Sequence, residues 1–188
     1  MIRLRSPGDE DTIRAERVDL PSLAADQLES LLDGHVAVVE RSISAAIPAE
    51  WVEDSRGLLA LRLGQLRDDP TAQRWLVRPI VLRRGDHLVI GTLNFHAPPD
   101  ERGMVEVGYG LLPEYRGRGY AIEAVRALFA WAETDPAVRV FRASVSPDNE
   151  RSLHLIDKLG FTQVGEQMDP IDGLELVFEK AARAGWDR

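Results

Sequence analysis

Residues Val105 to Trp131, VEVGYGLLPEYRGRGYAIEAVRALFAW, restrict the fold more than any other stretch of the chain. An alternating apolar strand runs into a turn in which Gly117 and Gly119 stand beside Arg116 and Arg118, and the turn opens directly into an amphipathic helix. The first N–H groups of a helix have no intrahelical acceptor and lie at the positive end of its dipole. With cations beside them they hold phosphate without further machinery. The stretch therefore predicts a strand–turn–helix that binds a phosphorylated ligand.

The rest of the chain arranges itself around that unit. The pattern IRAERVDL predicts a first strand over 13–20, and Pro21-Ser22 opens a helix that runs to about Leu32 and stops at Gly34. Residues 35–47 favour neither period. Pro48 starts a second helical region to about Arg67, with an interruption near Gly57. WLVRPIVLRR and HLVIGTLNFH flank Gly85-Asp86 as a hairpin, and APPDERG leads into the strand at Met104. After the helix from Gly119 to about Glu133, VRVFRASV is a further strand, NERSLHLIDKL a short helix closed by Gly160, and FTQVGEQM with LELVFEK a final hairpin. The strand–helix–strand in the middle must be a right-handed parallel crossover. No repeat, low-complexity tract or linker interrupts the pattern, so the expectation is one α/β (α+β) domain over 1–188. Its core lies at about 13–180, its central sheet is mixed with helices on both faces, and its ends at 1–12 and 181–188 are flexible.

Composition removes several functions. Net charge is −8, which argues against nonspecific nucleic-acid binding, because phosphate contacts dominate that affinity and need a cationic surface. No run approaches the roughly 18 apolar residues of a membrane span. The chain has no cysteine, which excludes disulfides, thiolate metal sites and a cysteine nucleophile and points to the cytoplasm. The histidines, at 35, 87, 96 and 154, have no partners at metal spacing, so no metal is expected. There is no Gly-x-Ser-x-Gly elbow of a serine hydrolase.

Three phosphate motifs compete for the turn. A Walker loop needs Gly-Lys-Ser/Thr, and no lysine is near. A dinucleotide fingerprint needs a third glycine where Ile122 stands. Arg116-Gly117-Arg118-Gly119-Tyr120-Ala121 fits Arg/Gln-x-x-Gly-x-Gly/Ala, and Asn149-Glu-Arg-Ser152-Leu-His-Leu-Ile-Asp-Lys-Leu-Gly160-Phe161 follows at the matching distance. With both segments in order, the chain resembles the GNAT family of N-acetyltransferases over roughly 13–180, most strongly from Glu106 to Phe161. Within that family VEVGYGLLPEYRGRGYA and Ser152 look most like the RimJ/RimL-type N-terminal acetyltransferases.

The resemblance implies the acyl-CoA N-acyltransferase fold with a splayed central strand, acetyl-CoA as cofactor, and direct attack by an amine in a ternary complex. It implies that the N–H groups of Arg116 to Ala121 hold the pyrophosphate, that Asn149 binds the pantetheine arm, and that Ser152 bonds the sulfur and protonates the leaving thiolate. Glu106 resembles the acidic residue that many relatives use as base; on residues alone it reads first as a polar position on the wet face of an alternating strand. Gly108 and Gly110 suit a bulge or splay that frees Gly110, Leu111 and Leu112 to bind pantetheine like an added strand, with the Leu111 N–H polarising the carbonyl. The tyrosine that many members use as general acid would fall at Ile156, so that role does not carry over. Asn149 is also an apt helix N-cap, with Ser152 one turn on. Trp51, Trp75, Phe95 and Tyr109 either line an acceptor pocket or, as is commoner for aromatics, fill the core. The acceptor expected first is a protein N-terminal α-amine; a polyamine or antibiotic-like small amine stands second, and a CoA-binding sensor without turnover stands as the different class. A homodimer is compatible with all three.

Overall fold

The computed structural model describes residues 11–170 and 173–182. Of the expected ends, 1–12 and 181–188, residues 1–10 and 183–188 lie outside the described residues. The described residues hold eight strands and five α-helices, and the chain forms two compact units.

The first unit is described over 11–94 and 109–127. The expected single strand at 13–20 is instead two short antiparallel strands, β1 (Ile13–Arg14) and β2 (Val18–Leu20). A turn closed by the Ala15 N–H on the Val18 carbonyl (2.9 Å) separates them. Helices α1 (Ala25–Leu32), α2 (Val36–Ile43) and α3 (Ala49–Asp68) follow. α2 occupies the stretch with no clear period, since an eight-residue helix shows barely two turns of pattern. α3 runs through Gly57 unbroken. A mid-helix glycine costs about 1 kcal/mol, and the buried row Trp51, Val52, Ser55, Leu59, Leu63 and Leu66 outweighs it.

The expected strand from Trp75 begins later, as β3 (Arg78–Leu82). Residues Pro70–Trp75 form a 3₁₀ turn, because Asp69 accepts the Thr71 N–H at its start (2.9 Å) and Pro70 pre-sets the backbone. β3 pairs antiparallel with both β2 and β4 (Val89–Phe95). The helices and these strands close over Leu23, Leu28, Leu31, Val39, Trp51, Leu59, Leu63, Val77, Val81 and Leu112. Trp51 lies in this core, its Nε1 donating to Thr92 Oγ1 at 2.9 Å. Arg78 is fully buried; its guanidinium donates to the carbonyls of Asp11 (2.6 Å), Leu20 (2.9 Å) and Arg74 (2.9 Å). Burial lowers its pKa to about 10, against the opposing pull of Asp11.

The second unit is described over 95–108, 128–170 and 173–182. Strand β5 (Met104–Leu111) begins here and helix α4 (Tyr120–Ala132) ends here; each passes through both units. β5 pairs parallel with β6 (Val140–Val145), as the crossover required. β6 pairs antiparallel with β8 (Gly173–Ala181), and β8 with β7 (Thr162–Asp169), which makes the sheet mixed. Helix α5 (Glu150–Lys158) ends at Gly160, whose φ of 76° only glycine adopts without strain.

One sheet face is apolar. Phe95, Phe129 and Phe141 stack there, with Phe129 and Phe141 centroids 4.0 Å apart and planes 12° apart, and Phe161 tilts onto Phe129. Phe95 thus fills the core rather than lining a pocket, and so do Trp51 and Trp75. Alternation turns the other side of β6 outward, with Arg142 and Ser144 between buried Phe141, Ala143 and Val145.

Candidate functional site

The glycine–arginine turn belongs to the first unit. A 3₁₀ turn, Pro113–Tyr115, lifts the chain out of β5, and Arg116 to Gly119 are exposed. Gly117 (φ 74°) and Gly119 (φ 81°) are both left-handed, the conformation their identity predicts. The first hydrogen bond of α4 runs from the Glu123 N–H to the Gly119 carbonyl (3.3 Å). The N–H groups of Tyr120, Ala121 and Ile122 therefore have no acceptor within the helix, which is the arrangement that receives an anion.

The arginines of the turn are partly committed. Arg116 Nε donates to the Leu111 carbonyl (2.9 Å), and the Arg118 guanidinium lies 5.9 Å from the centre of the Tyr115 ring. A third cation, not singled out by the motif, braces the loop. Arg17, from the turn between β1 and β2, donates its backbone N–H to Glu123 Oε1 and its Nε to Glu123 Oε2, both at 2.6 Å. Its Nη1 donates to the Arg118 carbonyl (3.0 Å), and its guanidinium lies over Tyr120, 4.7 Å from the ring centre. Glu123 would otherwise present a bare carboxylate in the first turn of α4, beside the N–H groups left without a helical acceptor. Arg17 neutralises it.

At the end of β5, Gly91 lies so close that a Cβ there would collide with the Gly110 carbonyl oxygen. The Leu112 N–H donates to the Ile90 carbonyl (2.9 Å). Leu112 therefore departs from the expectation of a freed amide: its N–H is spent on β4, and the Leu111 carbonyl is spent on Arg116. By strand alternation the Leu111 N–H points away from β4, and Gly110 is exposed.

The second unit carries the acid–base candidates. The parallel ladder between β5 and β6 holds Met104 to Glu106 against Val140 to Arg142 and ends there, although β6 continues to Val145 along β8. Its early end matches the expected splay. Glu106 is half-buried at that last rung, and its carbonyl accepts the His96 N–H (2.8 Å). Arg142, directly across, is committed to Glu179 by Nε (3.2 Å) and Nη2 (2.8 Å). The Glu106 carboxylate instead accepts the Ser144 hydroxyl at 2.5 Å. Gln167 Nε2 donates to Ser144 Oγ (3.1 Å) and to Glu175 Oε2 (2.9 Å). Neither Ser144 nor Gln167 was visible as a site residue from motifs; the signal was register, since the pairing of β7 with β8 sets Gln167 opposite Glu175.

On α5, Asn149 Oδ1 accepts the Ser152 N–H (3.2 Å), so the cap geometry expected of Asn149 is present. Ile156, where the family's tyrosine would stand, is fully buried. No group of metal-ligating side chains forms among the described residues. No helix among them is long and apolar enough to cross a membrane.

Residues 16–162 match the model of the family described as acetyltransferase (GNAT) domain, and the chain belongs to that family. It is similar to the uncharacterised N-acetyltransferase YjdG of Bacillus subtilis (strain 168), at 33% identity over 82 residues, 44% of this chain and 49% of YjdG. The chain spans about half the length of the curated relatives it matches. Its fold is similar to that of ribosomal-protein-S5-alanine acetyltransferase from Vibrio fischeri, with a TM-score of 0.60 at 19% identity over 94% of this chain and 99% of that one. It is also similar to RimL, a ribosomal L7/L12 α-N-protein acetyltransferase solved in complex with coenzyme A, with a TM-score of 0.63 at 15% identity over 92% and 99%.

Proposed function

We propose that this protein is an acetyl-CoA-dependent N-acetyltransferase, its residues 13–180 working as one domain in the cytoplasm, and that its acceptor is a protein N-terminal α-amine. The observation that carries this reading is the exposed turn Arg116–Gly119, with two left-handed glycines at the mouth of α4 and Arg17 cancelling the Glu123 carboxylate. Such a turn suits the pyrophosphate of CoA, which brings the acetyl thioester. The N–H groups of Gly119 to Ala121 and the Arg116 and Arg118 side chains hold the phosphates, Asn149 and the Gly110–Leu111 backbone hold the pantetheine, and the Leu111 N–H bonds the acetyl oxygen, where negative charge develops. Glu106 accepts the proton of the amine, and the Ser152 hydroxyl supplies one to the sulfur as it leaves. Holding amine and thioester together contributes most of the rate.

The burden on Glu106 depends on the acceptor. Freeing a lysine amine at pH 7 costs about 4.6 kcal/mol, an α-amine only about 1. Glu106 is half-buried and accepts one serine hydroxyl, and an α-amine is the acceptor that asks least of it. The ribosomal-protein acetyltransferases among the similar folds favour the same acceptor. A small polyamine is the second reading, favoured by the net charge of −8.

The test is thiol release from acetyl-CoA over a panel of α-amine octapeptides, lysine peptides with blocked N-termini, and spermidine. The α-amine peptides are expected to turn over fastest. Faster lysine or spermidine turnover replaces the acceptor. A rise in melting temperature with acetyl-CoA and no thiol release across the panel overturns the enzyme reading in favour of a CoA-binding sensor.

A further inference from the structure

We propose that Ser144 and Gln167 are positioning residues that fix Glu106 with one oxygen occupied and the other presented to the acceptor amine. The inference rests on Glu106 being the base.

The argument starts from what each group can do. An ionised carboxylate only accepts hydrogen bonds, an amide nitrogen only donates, and a serine hydroxyl has a single proton. Glu175 at one end of the chain therefore fixes the Gln167 side chain with its NH₂ toward Glu175 Oε2, and the same nitrogen reaches Ser144 Oγ. Ser144 Oγ is thus an acceptor from Gln167, and its one proton has a single remaining destination, Glu106 Oε1. The distance there, 2.5 Å, is that of an O–H to carboxylate bond, the strong class. Every donor and acceptor along Gln167–Ser144–Glu106 points one way, and reversing any link leaves two donors or two acceptors facing each other.

Sheet geometry makes the chain possible. Glu106 opposes Arg142, Ser144 is two residues further along β6 on the same face, and Gln167 opposes Glu175 on the outer hairpin. The ladder between β5 and β6 has ended at Glu106, so the serine bridges the widening gap diagonally. Arg142, the cation that would otherwise seize the carboxylate, is engaged by Glu179. Among the described residues Glu106 Oε2 takes no hydrogen bond.

That leaves a divided carboxylate: Oε1 is tethered and Oε2 is available. When the acceptor loses its proton, the N–H bond breaks, nitrogen keeps the electron pair, and the new O–H bond forms on Oε2. The Ser144 bond to Oε1 persists throughout, so the proton arrives without the side chain moving.

The test is a double-mutant cycle on the intact protein, with acetyl-CoA and an octapeptide bearing a free N-terminal serine, and spermidine in parallel. Ser144→Ala is expected to lower kcat about tenfold, with the KM for acetyl-CoA changed less than about twofold and the melting temperature retained. Ser144→Thr, which keeps the hydroxyl, restores kcat to within about threefold, and Gln167→Leu loses at least about threefold. In a Glu106→Gln background Ser144→Ala has no further effect. Wild-type turnover in Ser144→Ala while Glu106→Gln is impaired overturns the positioning role alone. Wild-type turnover in Glu106→Gln overturns the base reading beneath it. An undiminished Ser144→Ala loss in the Glu106→Gln background overturns the proposal by showing that the serine acts elsewhere. A readout free of turnover is the crystal structure of Ser144→Ala: Glu106 spread over a second rotamer supports the role, and one unchanged rotamer refutes it.

Discussion

Ser144 Oγ donates to Glu106 Oε1 across 2.5 Å, and the two residues are 38 positions apart in the chain. Glu106 also faces Arg142 across the last rung of the parallel ladder, but that cation is held by Glu179. The carboxylate is therefore held by a neutral hydroxyl, which leaves its charge in place. Replacing Glu106 by Gln keeps the shape and removes the proton acceptor. We expect thiol release with the best amine to fall at least about tenfold while acetyl-CoA still raises the melting temperature. Glu106→Asp, one methylene shorter, pulls away from Ser144 and should fall between the two. Full activity in Glu106→Gln would remove this residue from the chemistry.

Arg17 and Glu123 make the corresponding pair at the glycine–arginine turn. Arg17→Met keeps an unbranched side chain but removes the guanidinium that lies over Tyr120 and pairs with the Glu123 carboxylate. The Kd for acetyl-CoA, measured by calorimetry at low salt, should rise about tenfold, or about 1.4 kcal/mol, and the difference should shrink as salt screens the charge. Adding Glu123→Gln should recover at least part of the loss, since the offending charge is gone. Unchanged affinity in Arg17→Met would make the pair a plain surface contact.

These two pairs mark the limit of what the sequence makes legible. The turn Arg116–Ala121 is local: glycines at φ 74° and 81° are required by backbone sterics, so residue identity alone announces it. The Asn149 cap and the Gly160 stop on α5 are legible for the same reason. Arg17 is hidden because IRAERVDL alternates well enough to read as one strand, whereas a turn at Ala15 breaks it and turns the arginine to a partner 106 residues away. Ser144 is visible only as a polar position on a half-buried strand, and its meaning comes from the end of the β5–β6 ladder. Tertiary burial overrides local propensity at Gly57 within α3, and a capping aspartate at Asp69 delays β3 past Trp75.

Gly119 tests the loop directly. At φ 81° any side chain is strained by about 1–2 kcal/mol, and a Cβ would lie 3.3 Å from Arg17 Nη2, the flexible end of a side chain that can yield. Gly119→Ala should therefore fold, melt a few degrees lower, and bind acetyl-CoA more weakly. Gly119→Glu adds a negative charge at the mouth of α4 and should abolish the melting shift caused by acetyl-CoA. A full shift in Gly119→Glu would remove the phosphate from this turn.

Asp19 gives a prediction about stability and pH. Desolvation raises its carboxyl pKa, against the opposing pull of Arg83, Arg14 and His87. The Arg83 Nε is 3.3 Å from Oδ1, an ion-pair distance, but that oxygen takes no hydrogen bond among the described residues. A carboxyl raised on folding contributes stability that is present below its unfolded value, 3.8, and is lost as pH rises through the folded value. At pH 7 the ionised Asp19 is therefore a net cost, which a neutral isostere avoids. Asp19→Asn should be at least as stable as wild type at pH 7, despite losing the half-exposed pair with Arg83. Its advantage should shrink on acidification from pH 7 toward 3.8, as wild-type Asp19 takes up a proton. Melting curves of both proteins across that range check it. A variant less stable at pH 7 by more than about 1 kcal/mol would mean that the Arg83 pair outweighs the desolvation.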